Sequence, residues 1–398
     1  MLGILPLVTI FVCGAQALPG NVENALASEE VTDRYIDVEE RLLRDGYYSE
    51  SHTVVTSDGY MLEVNRIPFR RHETIDNATK ISKPVAVLMH GLQGSAISYV
   101  SLGPDRALAY ILADEGYDVW MGNSRGVLNS RRHVTLDPDV DVKEFFDITY
   151  EDIGMKDLPA MIDYILNVTG RPQLHYVGHS QGGTAFLVLN SMLPEYNQKI
   201  KSAHLLAGVG YQQNFPNRIL RLFALNTNPI YSYALRKGII EILGPEWNSF
   251  LNGDDCDEDN IEACSLLIIK EIMGDLFVSL ETVAGASIKQ YAHYGQNIRA
   301  KSFRRWNYSP VKNMIEYGSV IPPQYRISAI TADVTMHYTV NDALLDEQDV
   351  IDMAKVMQNT KTRKVPRETY SHTDFVVAPD SKELVYDYIV EALNKYER

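Results

Sequence analysis

The sequence predicts an α/β fold: one mainly parallel sheet covered on both faces by helices and interrupted late by a helical insertion. Three observations predict it. Short apolar runs of strand length alternate with stretches whose apolar residues recur every three or four positions, the rhythm of buried parallel strands joined by helical crossovers. From about 208 to 320 that rhythm stops, and helical, aromatic-rich sequence replaces it. Finally, 398 residues at 45% hydrophobic and 22% charged composition can bury a large core. With no internal repeat and no Gly/Ser linker, a second unit must be inserted within the first.

The elements follow in chain order. Residues 1–17 read as a signal peptide, an apolar run ending in Ala15-Gln16-Ala17, the small-x-small pattern that signal peptidase cuts after. The run falls short of the roughly 20 apolar residues a membrane-spanning helix needs, and no later run is longer. The first part of the core spans 18–207. It holds the strand runs Val85 to Met89, Tyr117 to Met121 and Gln173 to Val177, with helical stretches at Arg106 to Glu115 and Asp157 to Leu166. The insertion, 208–320, has helical sequence at Ile230 to Leu243 and Cys264 to Glu281. The core resumes over 321–398 with the strand Val334 to Tyr338 and a last helix. There Asp380 and Glu383 resemble a capping box, and Leu384, Val385, Tyr388, Ile389 and Ala392 form one apolar stripe.

Several features agree with export. Cys13 leaves with the signal, and the remaining pair, Cys256 and Cys264, predicts a small disulfide loop. Asn77, Asn167 and Asn307 begin glycosylation triplets, the last followed directly by Pro310. The acidic run from Asp254 to Glu262 reads as a solvated loop. A formal net charge of −15 argues against nucleic acid and anionic lipid headgroups as partners.

The chemistry centres on Gly178-His179-Ser180-Gln181-Gly182, a GxSxG match with a strand before it and a helix after it. That context is the nucleophile elbow of the α/β-hydrolase fold, where serine sits on a strained turn and side chains at the glycines would strike backbone. A serine hydroxyl needs a base in hydrogen-bond reach, and in this fold the acid and then the histidine follow it in sequence. His372 lies in a polar loop before the last helix, whereas His337 sits inside an apolar strand, His293 inside the insertion, and His204 too close after the serine. Asp342 stands just past the strand Val334 to Tyr338, where ligands gather in open α/β sheets. Asp346 and Asp349 fit the following helix, and Asp374 is too near His372. The expected triad is Ser180, Asp342 and His372. An oxyanion hole needs two backbone donors, expected from Gln181 and from Leu92 in His90-Gly91-Leu92-Gln93-Gly94. His90 and His179 are expected to shape their turns. No zinc-protease motif, P-loop or dinucleotide fingerprint is present, so no metal and no cofactor is implied.

These residues stand within a wider resemblance. Val55 to Tyr60, His90 to Leu92, Trp120 to Gly126, Asp157 to Ala160, Gly178 to Gly182 and Pro194 to Asn197 are similar to segments of the acid lipase family that includes gastric and lysosomal acid lipases. So are His293 to Gln296, Asn341-Asp342 and His372 to Phe375. The resemblance implies the same triad and oxyanion donors and a helical cap with a lid over the site. It also implies cleavage of triacylglycerols, with cholesteryl esters a further substrate of some members, at an emulsion or lipoprotein interface, by a secreted or lysosomal enzyme. The sequence departs from the family pattern at Gly183, at Gly208-Val209-Gly210 and at Thr339. The alternatives are a small-ester carboxylesterase and a non-catalytic lipid-binding protein on the same scaffold.

Overall fold

The computed structural model describes residues 37–73, 83–242 and 284–398. The expected signal peptide, Asn77, both cysteines, the acidic run and the helix expected at Cys264 to Glu281 lie outside the described residues.

The core is an eight-stranded sheet of β1 (Glu50–Val55), β2 (Met61–Ile67), β3 (Val85–Met89), β4 (Asp118–Gly122), β5 (Leu174–His179), β6 (Ile200–Leu206), β9 (Val334–Tyr338) and β10 (Thr360–Lys364). A two-stranded ribbon, β7 (Glu241–Ile242) and β8 (Ala286–Ser287), stands apart from it. The sheet order is β1-β2-β4-β3-β5-β6-β9-β10, antiparallel at β1/β2 and β2/β4 and parallel elsewhere. This is the fold class the sequence predicts. Strands β3, β4, β5 and β9 are buried throughout, because helices cover both faces.

The order also fixes where chemistry can occur. The chain leaves β3 for β4 on one side and then crosses back to β5 on the other. This parts the loops after β3 and β5 and opens a crevice at their C-terminal ends. In the pairing register Met89 faces Gly178, so His90 to Gly94 and His179 to Gln181 emerge side by side.

Two local readings need correction. The helix expected over Ile230 to Leu243 runs Thr227–Lys237, because Gly238, at φ 77°, terminates it in the left-handed conformation. The capping box expected at Asp380 is absent. Its carboxylate pairs instead with Arg367 at 2.6 Å, and the chain enters the last helix through a π-helical turn, Lys382–Tyr386. That turn shifts the stripe, so Val385, Tyr386, Ile389 and Leu393 are the fully buried positions.

Candidate active site

Ser180 lies between β5 and the helix Gln181–Met192 with φ 47° and ψ −110°. Such a conformation costs a residue with a side chain on the order of 1–3 kcal/mol and persists only when its surroundings enforce it. Here they do. The Ser180 amide donates to Leu206 O at 2.9 Å, and its carbonyl accepts from the Thr184 amide at 3.1 Å. A Cβ on Gly178 would lie 2.7 Å from the Gly182 backbone, and one on Gly182 would fall onto the Met89 carbonyl. Gly183 meets Gly208 in the same way, 2.5 Å from a would-be Cβ to the Gly208 Cα. Two departures from the family pattern are thus one close contact between the helix after the serine and the end of β6.

His372 and Asp342 meet from separate loops. His372 Nδ1 donates to the Asp342 carboxylate, 2.7 Å from Oδ2 and 2.9 Å from Oδ1. Asp342 Oδ1 also accepts from the Leu344 and Leu345 amides at 2.7 and 2.9 Å, so backbone fixes the carboxylate. The third departure belongs here too. The Thr339 hydroxyl donates to Tyr370 O at 2.6 Å, and Asn341 Nδ2 to Thr369 O at 3.1 Å, joining the acid's loop to the base's loop.

His372 Nε2 is buried without a hydrogen-bond partner, so the serine–histidine hydrogen bond is open. In substrate-free hydrolases this contact is commonly long and tightens when substrate arrives. His179 links the two halves: its Nε2 donates to His372 O at 2.9 Å, its ring lies 5.3 Å from that of His372, and Gly91 packs against it. A Cβ on Gly91 would lie 3.1 Å from the Ser180 Cβ, which sets the loop carrying Leu92 against the serine. Neither the Leu92 nor the Gln181 amide donates to a backbone carbonyl among the described residues.

The family described as a partial alpha/beta-hydrolase lipase region matches residues 38–103, and the alpha/beta hydrolase fold matches 84–237. The chain is 37% identical to Lipase 3 of Drosophila melanogaster over 91% of this chain and 93% of that protein. It is 35% identical to Lipase 1 of the same organism, over 91% and 81%. Against the gastric triacylglycerol lipase of Homo sapiens it is 32% identical, over 92% of each. The chain belongs to the acid lipase family. It is therefore an ester-hydrolysing lipase of the α/β-hydrolase fold.

Around the site of this lipase the remaining histidines are structural. His90 Nδ1 donates to Gly91 O at 2.7 Å while its Nε2 accepts from the Ser124 amide at 3.0 Å, which fixes the turn before Leu92. Burial pushes His90 down to about 4 and His179 to about 3, the latter aided by repulsion from His372, so both are neutral turn-formers near neutral pH. His337 shares a hydrogen bond with His204 at 2.9 Å inside the sheet, and His293 Nε2 donates to Arg304 O at 2.9 Å. Asp346 caps the following helix through the Gln348 amide, and Asp349 holds Asn214. Asn167 is exposed at the end of the helix Leu158–Thr169, and Asn307 Oδ1 accepts from Asn313 at 2.7 Å.

Two supports escaped the sequence reading. Tyr294, on the helix Ile288–Ala300, donates to Thr184 Oγ1 at 3.0 Å, and Thr184 donates to Val209 O at 2.6 Å. Arg125 is fully enclosed and binds Asp157 at 2.7 Å and Asp58 at 2.8 Å, with its guanidinium 4.1 Å over the Tyr60 ring. It therefore ties together three of the segments that carry the family resemblance. The signals were Tyr294 within His293 to Gln296 and Thr184 four residues, one helical turn, past the serine.

Proposed function

We propose that the lipase is a serine hydrolase of neutral lipid esters, with Ser180 as nucleophile, His372 as general base and acid, and Asp342 orienting the histidine. The observation that carries this reading is the Asp342–His372 pair with its unpartnered, buried His372 Nε2, tied by the His179 hydrogen bond to the elbow where Ser180 sits on a strained turn. Ser180 Oγ attacks the ester carbonyl carbon as its proton passes to His372 Nε2. The oxyanion is received by the amides of Leu92 and Gln181, which spend no hydrogen bond on backbone beforehand. As the tetrahedral intermediate collapses, the C–O bond to the alcohol breaks and the alcohol leaves with the proton from His372. Water then attacks the acyl-serine by the same route and releases the fatty acid.

Triacylglycerol is the first substrate of this reading, supported by the gastric triacylglycerol lipases among the relatives, with cholesteryl ester as the second. The lipase is taken to be secreted or lysosomal on the strength of residues 1–17, the Cys256/Cys264 pair and the glycosylation triplets. No helix among the described residues is long and apolar enough to cross a membrane.

Fatty-acid release from emulsified long-chain triacylglycerol and cholesteryl ester tests the proposal, with wild type and Ser180→Ala compared. Ser180→Ala should fold with an unchanged melting temperature and lose at least about 10⁴-fold in turnover. A Ser180→Ala protein that still releases fatty acid would refute the nucleophile assignment. Wild type that cleaves only short soluble esters would place the enzyme among the carboxylesterases.

A further inference from the structure

The segment 306–321 is built inside out. Its helix, Pro310–Tyr317, buries one residue, the polar Asn313, which donates to Asn307 Oδ1 at 2.7 Å and Val320 O at 2.9 Å and accepts from the Tyr308 amide at 3.0 Å. The apolar side chains point the other way. Val311 is 75% exposed and Ile315 77%, joined by Met314 on the same helix and by Val320 and Ile321 just after it. A soluble protein rarely leaves so many large apolar groups together in water unless they meet a partner.

The excursion is held firmly at its base. Arg305 N donates to Pro323 O, Tyr325 N to Phe303 O, and Arg304 Nη1 to Pro322 O, each at 3.0 or 3.1 Å, which closes a stem beneath it. Arg305 and the Tyr325 hydroxyl both bind Glu151, in the first turn of the helical segment that leads from β4 towards β5. A crossover from the C-terminal end of β4 begins on the side of the sheet where Ser180 emerges, so the excursion is anchored on the active-site side.

Charge indicates the occupant. The excursion itself carries one Lys and one carboxylate, Lys312 and Glu316, but the stretches on either side of it, 284–305 and 322–332, hold six Lys or Arg and no carboxylate, in a protein of net charge −15. Of these, Lys289 and Arg305 are paired with Asp147 and Glu151, which leaves Arg299, Lys301, Arg304 and Arg326 as the flanking positive charge. An acidic enzyme that releases fatty acids makes the surface it works on progressively anionic, and its own net charge would drive it off. Exposed apolar groups flanked by basic residues hold on to such a surface, because apolar insertion and attraction to anionic lipid add. We infer that residues 306–321 form the element by which this lipase docks on a lipid surface carrying its fatty-acid product. The inference deepens the proposed function and rests on it for the identity of the surface.

Flotation with triolein emulsions stabilised by phosphatidylcholine, with and without added oleate, reads the docking in a Ser180→Ala background, where no lipolysis disturbs the surface. Soluble butyrate-ester turnover in the active background reads the catalytic site separately. Val311→Ser/Ile315→Ser should lower partition onto oleate-bearing emulsion by roughly tenfold or more, since several buried methylenes are lost, with soluble-ester turnover and melting temperature unchanged. Val320→Ser/Ile321→Ser should act in the same direction. Undiminished flotation of both variants would overturn the proposal, and so would a parallel fall in soluble turnover. A parent that sediments as a dimer, and a variant as a monomer, would also overturn it, because the patch would then be covered by a second copy. Failure of wild type to hydrolyse emulsified lipid while the parent still floats would count against the substrate reading and leave the docking result standing.

Discussion

Arg125 shows how single residues hold this site's scaffold. Its two carboxylate partners respond in opposite ways. Asp157 is wholly buried, and desolvation raises its carboxyl above the usual range despite the guanidinium. At Asp58, half open to solvent, burial also pushes upward but is outweighed by Arg125, Thr56 and Lys156, and the carboxyl falls below the usual range. Replacing Arg125 with Leu strands Asp157 as an unpaired buried charge and should cost about 3–5 kcal/mol of unfolding free energy, measured by urea denaturation. Arg125→Leu/Asp157→Leu should recover much of that loss, because the stranded charge goes with it. A single variant as stable as wild type would contradict this reading. Sequence alone singled out Asp58, Arg125 and Asp157 only as parts of resembling segments. Their contact joins positions far apart in the chain, and no local pattern reveals that. The glycines of the elbow were legible, because the motif's own logic demands that Gly178 and Gly182 lack side chains, and the would-be Cβ distances agree.

The helix Ile288–Ala300 is coupled to the helix that follows Ser180. Tyr294 reaches from the former to Thr184, which in turn sits one turn past Ser180 and holds the end of β6 through Val209. Tyr294 is thus a positioning residue for the helix that carries the Gln181 amide. Tyr294→Phe should lower kcat on a soluble ester by roughly tenfold with KM little changed, since the lost hydrogen bond bears on the helix carrying the proposed oxyanion donor. Combining it with Thr184→Val should add little further, and full additivity would contradict the coupling. Burial alone did not make a strand legible: β6 is buried at all but one position, yet Lys201, Ser202 and His204 interrupt its apolar run. The apolar runs at β3, β4, β5 and β9 stand out in the sequence, whereas β10, Thr-Lys-Thr-Arg-Lys, has no apolar residue at all. It is an edge strand, and charged side chains there discourage pairing with other chains, so the feature that protects it also hides it. The capping box at Asp380 misled for a related reason: a tertiary partner, Arg367, claimed the carboxylate that local sequence assigned to the helix.

For the whole molecule, the buried histidines set how stability responds to acid. His204 and His337 face each other in the sheet, with His175, Lys361, Arg363 and Tyr388 as their charged or titratable neighbours. Burial depresses His204 to about 3, aided by repulsion from His175, Lys361 and Arg363, and depresses His337 well below its ordinary value, aided by repulsion from His204 and Arg363. A histidine in the unfolded chain takes up its proton near pH 6.5, so each depressed group contributes stability that is complete above that pH. The contribution is lost as pH falls from about 6.5 towards about 3. Melting temperature should therefore decline already between about pH 6.5 and 5, above the range where carboxylates titrate, and His204→Gln/His337→Gln should flatten that decline. An unchanged slope would assign the acid response to other groups. Whether Ser180 carries the acyl group is read by treating the folded lipase with a fluorophosphonate and locating the adduct by peptide mass spectrometry. A single adduct is expected on Ser180, formed at least about a hundredfold more slowly in His372→Ala. An adduct on another serine, or none in a protein that still cleaves esters, would contradict it.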